Sequence, residues 1–139
     1  MKHLILLAAL VFPVALAHSE LESATPAEGS RVAAPREVKL RFSEEVELKF
    51  STFKVYPVGV TGSVQRVNAA AGMLKAQHLN RRDDASQRAD LGVSEKARTA
   101  REVTLPLKQN LTPGAYVVMW KVLSVDTHTT EGFYVFNVR

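Results

Sequence analysis

No cysteine occurs anywhere in the 139 residues. No disulfide framework can therefore hold the fold, and no thiolate can hold a metal. Stability must come from an apolar core, and any metal must be held by nitrogen and oxygen. Aromatic residues are few, at 7%, and the formal net charge of +4 is modest for the length. Arginine and lysine never gather into a basic run interleaved with aromatics, which argues against a nucleic-acid partner. The one long apolar run, Leu4 to Val14, is shorter than the roughly 20 residues that span a bilayer.

That run has the three parts of a secretory leader. Lys2 and His3 form a short basic start, the apolar stretch follows, and Ala15-Leu16-Ala17 gives the small-x-small pattern that precedes cleavage. We expect residues 1–17 to be removed as a signal peptide. Export from the cytoplasm follows, with no cysteine after the leader to carry a lipid. The remaining chain, 18–139, has the size of one domain with one core. Removing Lys2 lowers the net charge to +3.

Short alternating segments dominate the rest. Val38, Leu40 and Phe42 alternate with polar neighbours, as do Phe53 and Val55 with Lys54 and Tyr56, and Val103, Leu105 and Leu107 among themselves. Each reads as a half-buried strand. Val64 and Val67, after Gly62, suggest a hairpin partner. "PGAYVVMWKVLSVD" (113–126) is apolar on both parities, as expected of a central strand covered on both faces. "FYVFNV" (133–138) follows a short loop. Gly and Pro punctuate these runs, so an all-β Greek-key barrel or sandwich is expected, cupredoxin-like or immunoglobulin-like. Residues 69–101 break the pattern, being rich in Ala, Arg and Asp with no period of two. They read as a long insertion, partly helical or mobile, with Ser94 a candidate N-cap for "EKARTAR".

Three polar features stand out: His18 at the expected new N-terminus, "FSEE" at 42–45, and "DTH" at 126–128. If the long strand persists, Asp126 and His128 leave the same face at spacing two. Cleavage before His18 would place an α-amine and an imidazole on one residue. Together these make three nitrogens and one oxygen, a set that in tetragonal geometry favours Cu(II). Each piece alone has a plainer reading, since a DxH in a hairpin is more often a solvated turn. Trp120 lies six residues before Asp126, about 20 Å along an extended strand at roughly 3.3 Å per residue, and reads as a core anchor. Ser124 is near enough to hydrogen-bond to the proposed ligands.

At these residues the chain resembles the CopC family of secreted copper-binding proteins. "HSELESATPAEGSRV", "VKLRFSEEVE" and "GAYVVMWKVLSVDTHTTEGFYVFNV" carry the resemblance, over roughly 18–58 and 103–138; it fails across the insertion. It implies a Greek-key β-barrel related to cupredoxins, working in the periplasm in copper binding, resistance and delivery. It implies one Cu(II) per chain on His18, Asp126 and His128, with Glu44 of "FSE" a weaker or nearby acidic contact and Glu45 a plausible substitute. Some relatives carry a methionine-rich loop for Cu(I). Here that region holds only Met73 and His78, and Met119 lies inside a strand, so no convincing Cu(I) site is expected.

The leading expectation is thus a monomeric periplasmic Cu(II) carrier or buffer, not an enzyme, with a membrane copper transporter as a candidate partner. Two other classes compete. A copper oxygenase with an N-terminal histidine chelate needs open coordination positions, and Asp126 would help to close them. A plain immunoglobulin-like structural domain would bind no metal tightly.

Overall fold

The computed structural model describes residues 20–139. The expected leader, its cleavage point and His18 lie outside the described residues. Among the described residues, seven strands form two sheets. In chain order they are β1 (Leu21–Thr25), β2 (Arg31–Val32), β3 (Glu37–Glu47), β4 (Thr52–Pro57), β5 (Thr99–Pro106), β6 (Gly114–Leu123) and β7 (Thr129–Val138), with one helix, α1 (Val64–His78), between β4 and β5. One sheet has the order β1-β3-β5 and the other β2-β7-β6-β4. All pairings are antiparallel except β2 with β7. The architecture is a β-sandwich and not a closed barrel.

The alternating residues meet between the sheets as expected. Val38, Leu40 and Phe42 of β3 and Val103 and Leu105 of β5 face Phe53, Val55, Tyr116, Val118, Trp120, Val122, Tyr134 and Phe136 across the sandwich. Burying each large apolar side chain contributes roughly 1.5–3 kcal/mol. Trp120 is an anchor of this core, with Phe42 and Tyr134 each 6.3 Å away between ring centroids.

The second apolar parity of β6 has its own partner. Val117 and Met119 face outward onto a smaller cluster with Tyr56, Val58, Ala71, Leu79 and Val135. The helix α1 supplies the cover. Its N-cap Ser63 accepts a hydrogen bond from the Arg66 N–H, and the small residues Ala70 and Ala71 let it lie close to the sheet. Val64 and Val67 are therefore helical, correcting the expected hairpin partner: a good cap and an alanine-rich run outweigh two β-branched residues. Ser94 caps no helix, because "EKARTAR" bends at Ala97 and Arg98 and enters β5 at Thr99. The connection between β4 and β5 thus runs from 58 to 98, helical over 64–78 and made of turns, bends and irregular chain afterwards, so the expected 69–101 insertion starts inside the helix.

The helix also buries two residues that alternation had assigned outward. Lys54 and Tyr56 lie beneath its C-terminal end, only 2% and 3% exposed. Lys54 Nζ donates to the carbonyls of His78 (2.7 Å) and Arg81 (2.5 Å) and to Asp84 Oδ2 (2.6 Å). The Tyr56 hydroxyl donates to the same carboxylate oxygen. Burial and Asp84 push the Tyr56 phenol well above its ordinary value. His78 is half-buried, with its ring centroid 4.9 Å from that of Tyr56.

Beyond Asp84 the chain laces the two sheets along one side. Ala89 N–H donates to the Val55 carbonyl (2.7 Å), and the Asp90 carboxylate accepts the Val55 N–H (2.8 Å). Arg88 holds both Asp90 and the Phe53 carbonyl. Leu91 and Ser94 N–H groups then donate to Pro106 and Thr104 of β5, while the Glu95 carboxylate accepts the Thr104 N–H at 2.8 and 3.0 Å. No helix among the described residues is long and apolar enough to cross a membrane.

Candidate metal centre

Two of the three polar segments singled out by sequence, "FSEE" and "DTH", meet at one end of the sandwich, and the described residues begin beside them at Glu20. The reason begins in β3. Between Arg41, paired with Glu102, and Val46, paired with Ala100, five steps along β3 answer to two along β5. The surplus is "FSEE", bulged out of the ladder as bulges beside functional sites commonly are. Arg101 fills the gap, its guanidinium donating to the carbonyls of Phe42 (Nε, 3.0 Å) and Ser43.

Freed from β5, the bulge contacts Glu20, the first described residue, and the turn between β6 and β7. Ser43 pairs with Glu20: Ser43 N–H donates to the Glu20 carbonyl (2.8 Å), and Glu20 N–H donates to Ser43 Oγ (2.8 Å). The described chain therefore starts beside "FSEE", two residues after His18. On the other flank, Val46 bridges to Ser124, and Val125 N–H donates to the Glu45 carbonyl at 3.1 Å. Glu44, half-buried, lies between these two anchorages.

Asp126 and His128 come together, but not by strand alternation. β6 ends at Leu123, and residues 124–128 form the tight turn into β7. Thr127 N–H closes it on the Ser124 carbonyl (2.9 Å), and Ser124 N–H reaches the His128 carbonyl (2.9 Å). Thr127 takes a left-handed φ of 72°, uncommon for a β-branched residue. The expected shared strand face is corrected to a shared turn, with His128 Nδ1 3.3 Å from Asp126 Oδ1. Their side chains are 40% and 38% exposed.

Ser124, 1% exposed, sits beneath the pair. Its hydroxyl donates to Asp126 Oδ1, and the His128 N–H approaches both that hydroxyl (3.3 Å) and Asp126 Oδ1 (3.4 Å). The Ser124 hydrogen bond, helped by those from His128, holds the Asp126 carboxyl below the usual carboxylate range. It is thus ready as an anionic donor at neutral pH.

Among the described residues no three His, Asp or Glu side chains come together as a metal-binding group. Glu44 reaches this end of the sandwich by way of the bulge. Met73 is exposed on α1, and Met119 is fully buried between β6 and the helix. Sequence reading missed two parts of the site: the Ser43–Glu20 clasp and the Arg101 prop. Neither has a local signal, since each joins residues distant in the chain.

A two-sheet Greek-key sandwich with a polar turn, a bulge and the first described residue at one end defines a class of small β domains. The CopC domain model matches residues 21–139, and the chain belongs to that family. Copper resistance protein C of Pseudomonas syringae pv. tomato is 34% identical over 133 residues, covering 94% of this chain and 87% of that protein. Protein YobA of Escherichia coli strain K12 is 35% identical over 136 residues, covering 97% and 90%. Two solved structures share the fold. PcoC, a methionine-rich copper resistance protein from Escherichia coli, has a TM-score of 0.62 at 29% identity over 88% of this chain and all of that one. CopC from Methylosinus trichosporium OB3b has a TM-score of 0.59 at 32% identity, covering 87% and 93%.

Proposed function

We propose that this protein is a periplasmic copper-binding protein of copper resistance, taking one Cu(II) on the α-amine and imidazole of His18, the carboxylate of Asp126 and the imidazole of His128. Glu44 stands as a weaker or neighbouring acidic contact. Membership of the CopC family and likeness to copper resistance proteins support the copper role. One observation carries the site: Glu20 is clasped to Ser43 on the same bulge whose other end holds the Asp126–His128 turn. Two residues of chain span at most about 7 Å, so this end of the sandwich is within reach of an amine at His18. Amine, imidazole and carboxylate are donors that suit tetragonal Cu(II). The chain offers no cysteine and, in the mature protein, two separated methionines for Cu(I). The protein acts as carrier or buffer, with a membrane copper transporter as its candidate partner.

The test is chelator competition on processed protein whose first residue is verified as His18, against a form with one alanine added before it. The extension removes the amine chelate and leaves every described contact intact. Cu(II) affinity should fall sharply while the circular dichroism spectrum is unchanged. Equal affinities would refute the N-terminal chelate.

A further inference from the structure

Ser124 makes no claim to be a ligand, yet its hydroxyl touches the carboxylate of Asp126 and the backbone of His128. It is 1% exposed and therefore fixed. It donates to Asp126 Oδ1, lies 3.3 Å from the His128 N–H, and lies 3.2 Å from the His128 carbonyl. Every hydrogen bond to the Asp126 carboxylate among the described residues falls on Oδ1. Oδ2 is left as the oxygen open to an incoming ion.

We infer that Ser124 is a positioning residue that sets Asp126 as a one-oxygen donor beside His128 before any metal arrives. This rests on the copper reading above and deepens it. The turn that carries both residues is closed by its own backbone hydrogen bonds, Thr127 to Ser124 and Ser124 to His128. The hydroxyl adds what the backbone cannot, a fixed rotation of the carboxylate. Without it, Asp126 on an exposed turn samples several rotamers, and binding must freeze them. Groups that orient metal ligands from behind typically change affinity 10–100-fold when removed.

The experiment measures Cu(II) affinity by chelator competition, and the Cu(II) electron paramagnetic resonance spectrum, in four forms of the processed protein. These are wild type, Ser124→Ala, Asp126→Ala and the double variant. Ser124→Ala should bind 10–100-fold more weakly with an altered parallel hyperfine splitting, and Ser124→Thr, which restores the hydroxyl, should recover the wild-type spectrum. If Ser124 acts through Asp126, its removal should cost little once Asp126 is gone, because contacting residues are not additive. Full additivity would show that Ser124 acts by another route and overturn the inference. So would a Ser124→Ala protein with wild-type affinity and spectrum. Should the alanine variant not fold, Ser124→Gly removes the same hydroxyl and carries the same expectation. A wild-type protein that binds no Cu(II) would instead overturn the copper reading itself.

Discussion

Replacing Asp84 by alanine should be the most damaging single change outside the sheets' core. Asp84 and Lys54 are 1% and 2% exposed and 2.6 Å apart. Arg88 Nη1 stands off at 3.9 Å from the other carboxylate oxygen. The change leaves the Lys54 ammonium buried with only the His78 and Arg81 carbonyls for company. It also deprives the Tyr56 hydroxyl of its acceptor. Stranding one member of a buried ion pair costs about 3–5 kcal/mol. For some 120 ordered residues the unfolding entropy is about 0.25 kcal/mol/K, so the melting temperature should drop by about 12–20 °C. Lys54→Met combined with Asp84→Leu should recover much of the loss, since an apolar pair of similar volume is often as stable as an ionic one. The pH dependence has a definite sign. Burial pushes the Asp84 carboxyl up, but hydrogen bonds from Lys54 and Tyr56 outweigh it and hold the group below its ordinary value. A depressed acid contributes stability above its unfolded pKa of about 3.9, and that stability is lost as pH falls through the folded value. Part of the wild type's acid instability should therefore be missing in Asp84→Ala. Calorimetry between pH 3 and 7 measures both effects. A drop of less than about 4 °C at pH 7 would refute the claim that this pair fastens the helix to the sheet.

Gly132→Ala would place a methyl 2.6 Å from Trp120 Cζ2 and 3.0 Å from Cε2. Forcing that indole against Phe42 and Tyr134 should cost about 1–3 kcal/mol, read as a lower melting temperature with shifted tryptophan fluorescence; an unchanged melt would contradict it. Saturating Cu(II), at a thousand times Kd, should stabilise the processed protein by about 4 kcal/mol. His128→Ala should lose most of that gain and Asp126→Ala part of it, and a wild-type melt indifferent to Cu(II) would count against a native site. Met73→Leu and His78→Ala should leave Cu(II) affinity unchanged in competition titrations, because neither belongs to the proposed donor set.

Period-two alternation made β3, β4, β5 and β6 legible because one face of each meets the same core. The double parity of β6 was legible as well, but its second partner was not. Alanines carry little hydrophobic signal, so nothing in 69–101 marked a helix face that covers a sheet, and Lys54 looked solvent-facing for the same reason. At the candidate metal centre, residue types and spacing pointed to Asp126 and His128, while the geometry assumed for them was wrong. A strand and a tight turn can both set residues i and i+2 side by side, and only the Ser124 hydrogen bonds distinguish them. The bulge at "FSEE" has no local signature either. It exists because Arg101, from a distant strand, supplies donors to the carbonyls that the ladder gave up.

The lacing from Asp84 to Glu95 bears on how this protein keeps company with its own copies. A sheet edge is a template, offering a row of N–H and C=O groups to any passing strand. Along β4 and β5 that row is already taken, in part by carboxylates of Asp90 and Glu95 standing where a neighbouring strand's carbonyls would be. A carboxylate accepts but cannot donate, so the pairing stops with it instead of passing on to a further strand. The segment that least resembles a β protein in sequence thus terminates the β structure, and sheet-to-sheet growth into fibres is blocked along this side of the sandwich.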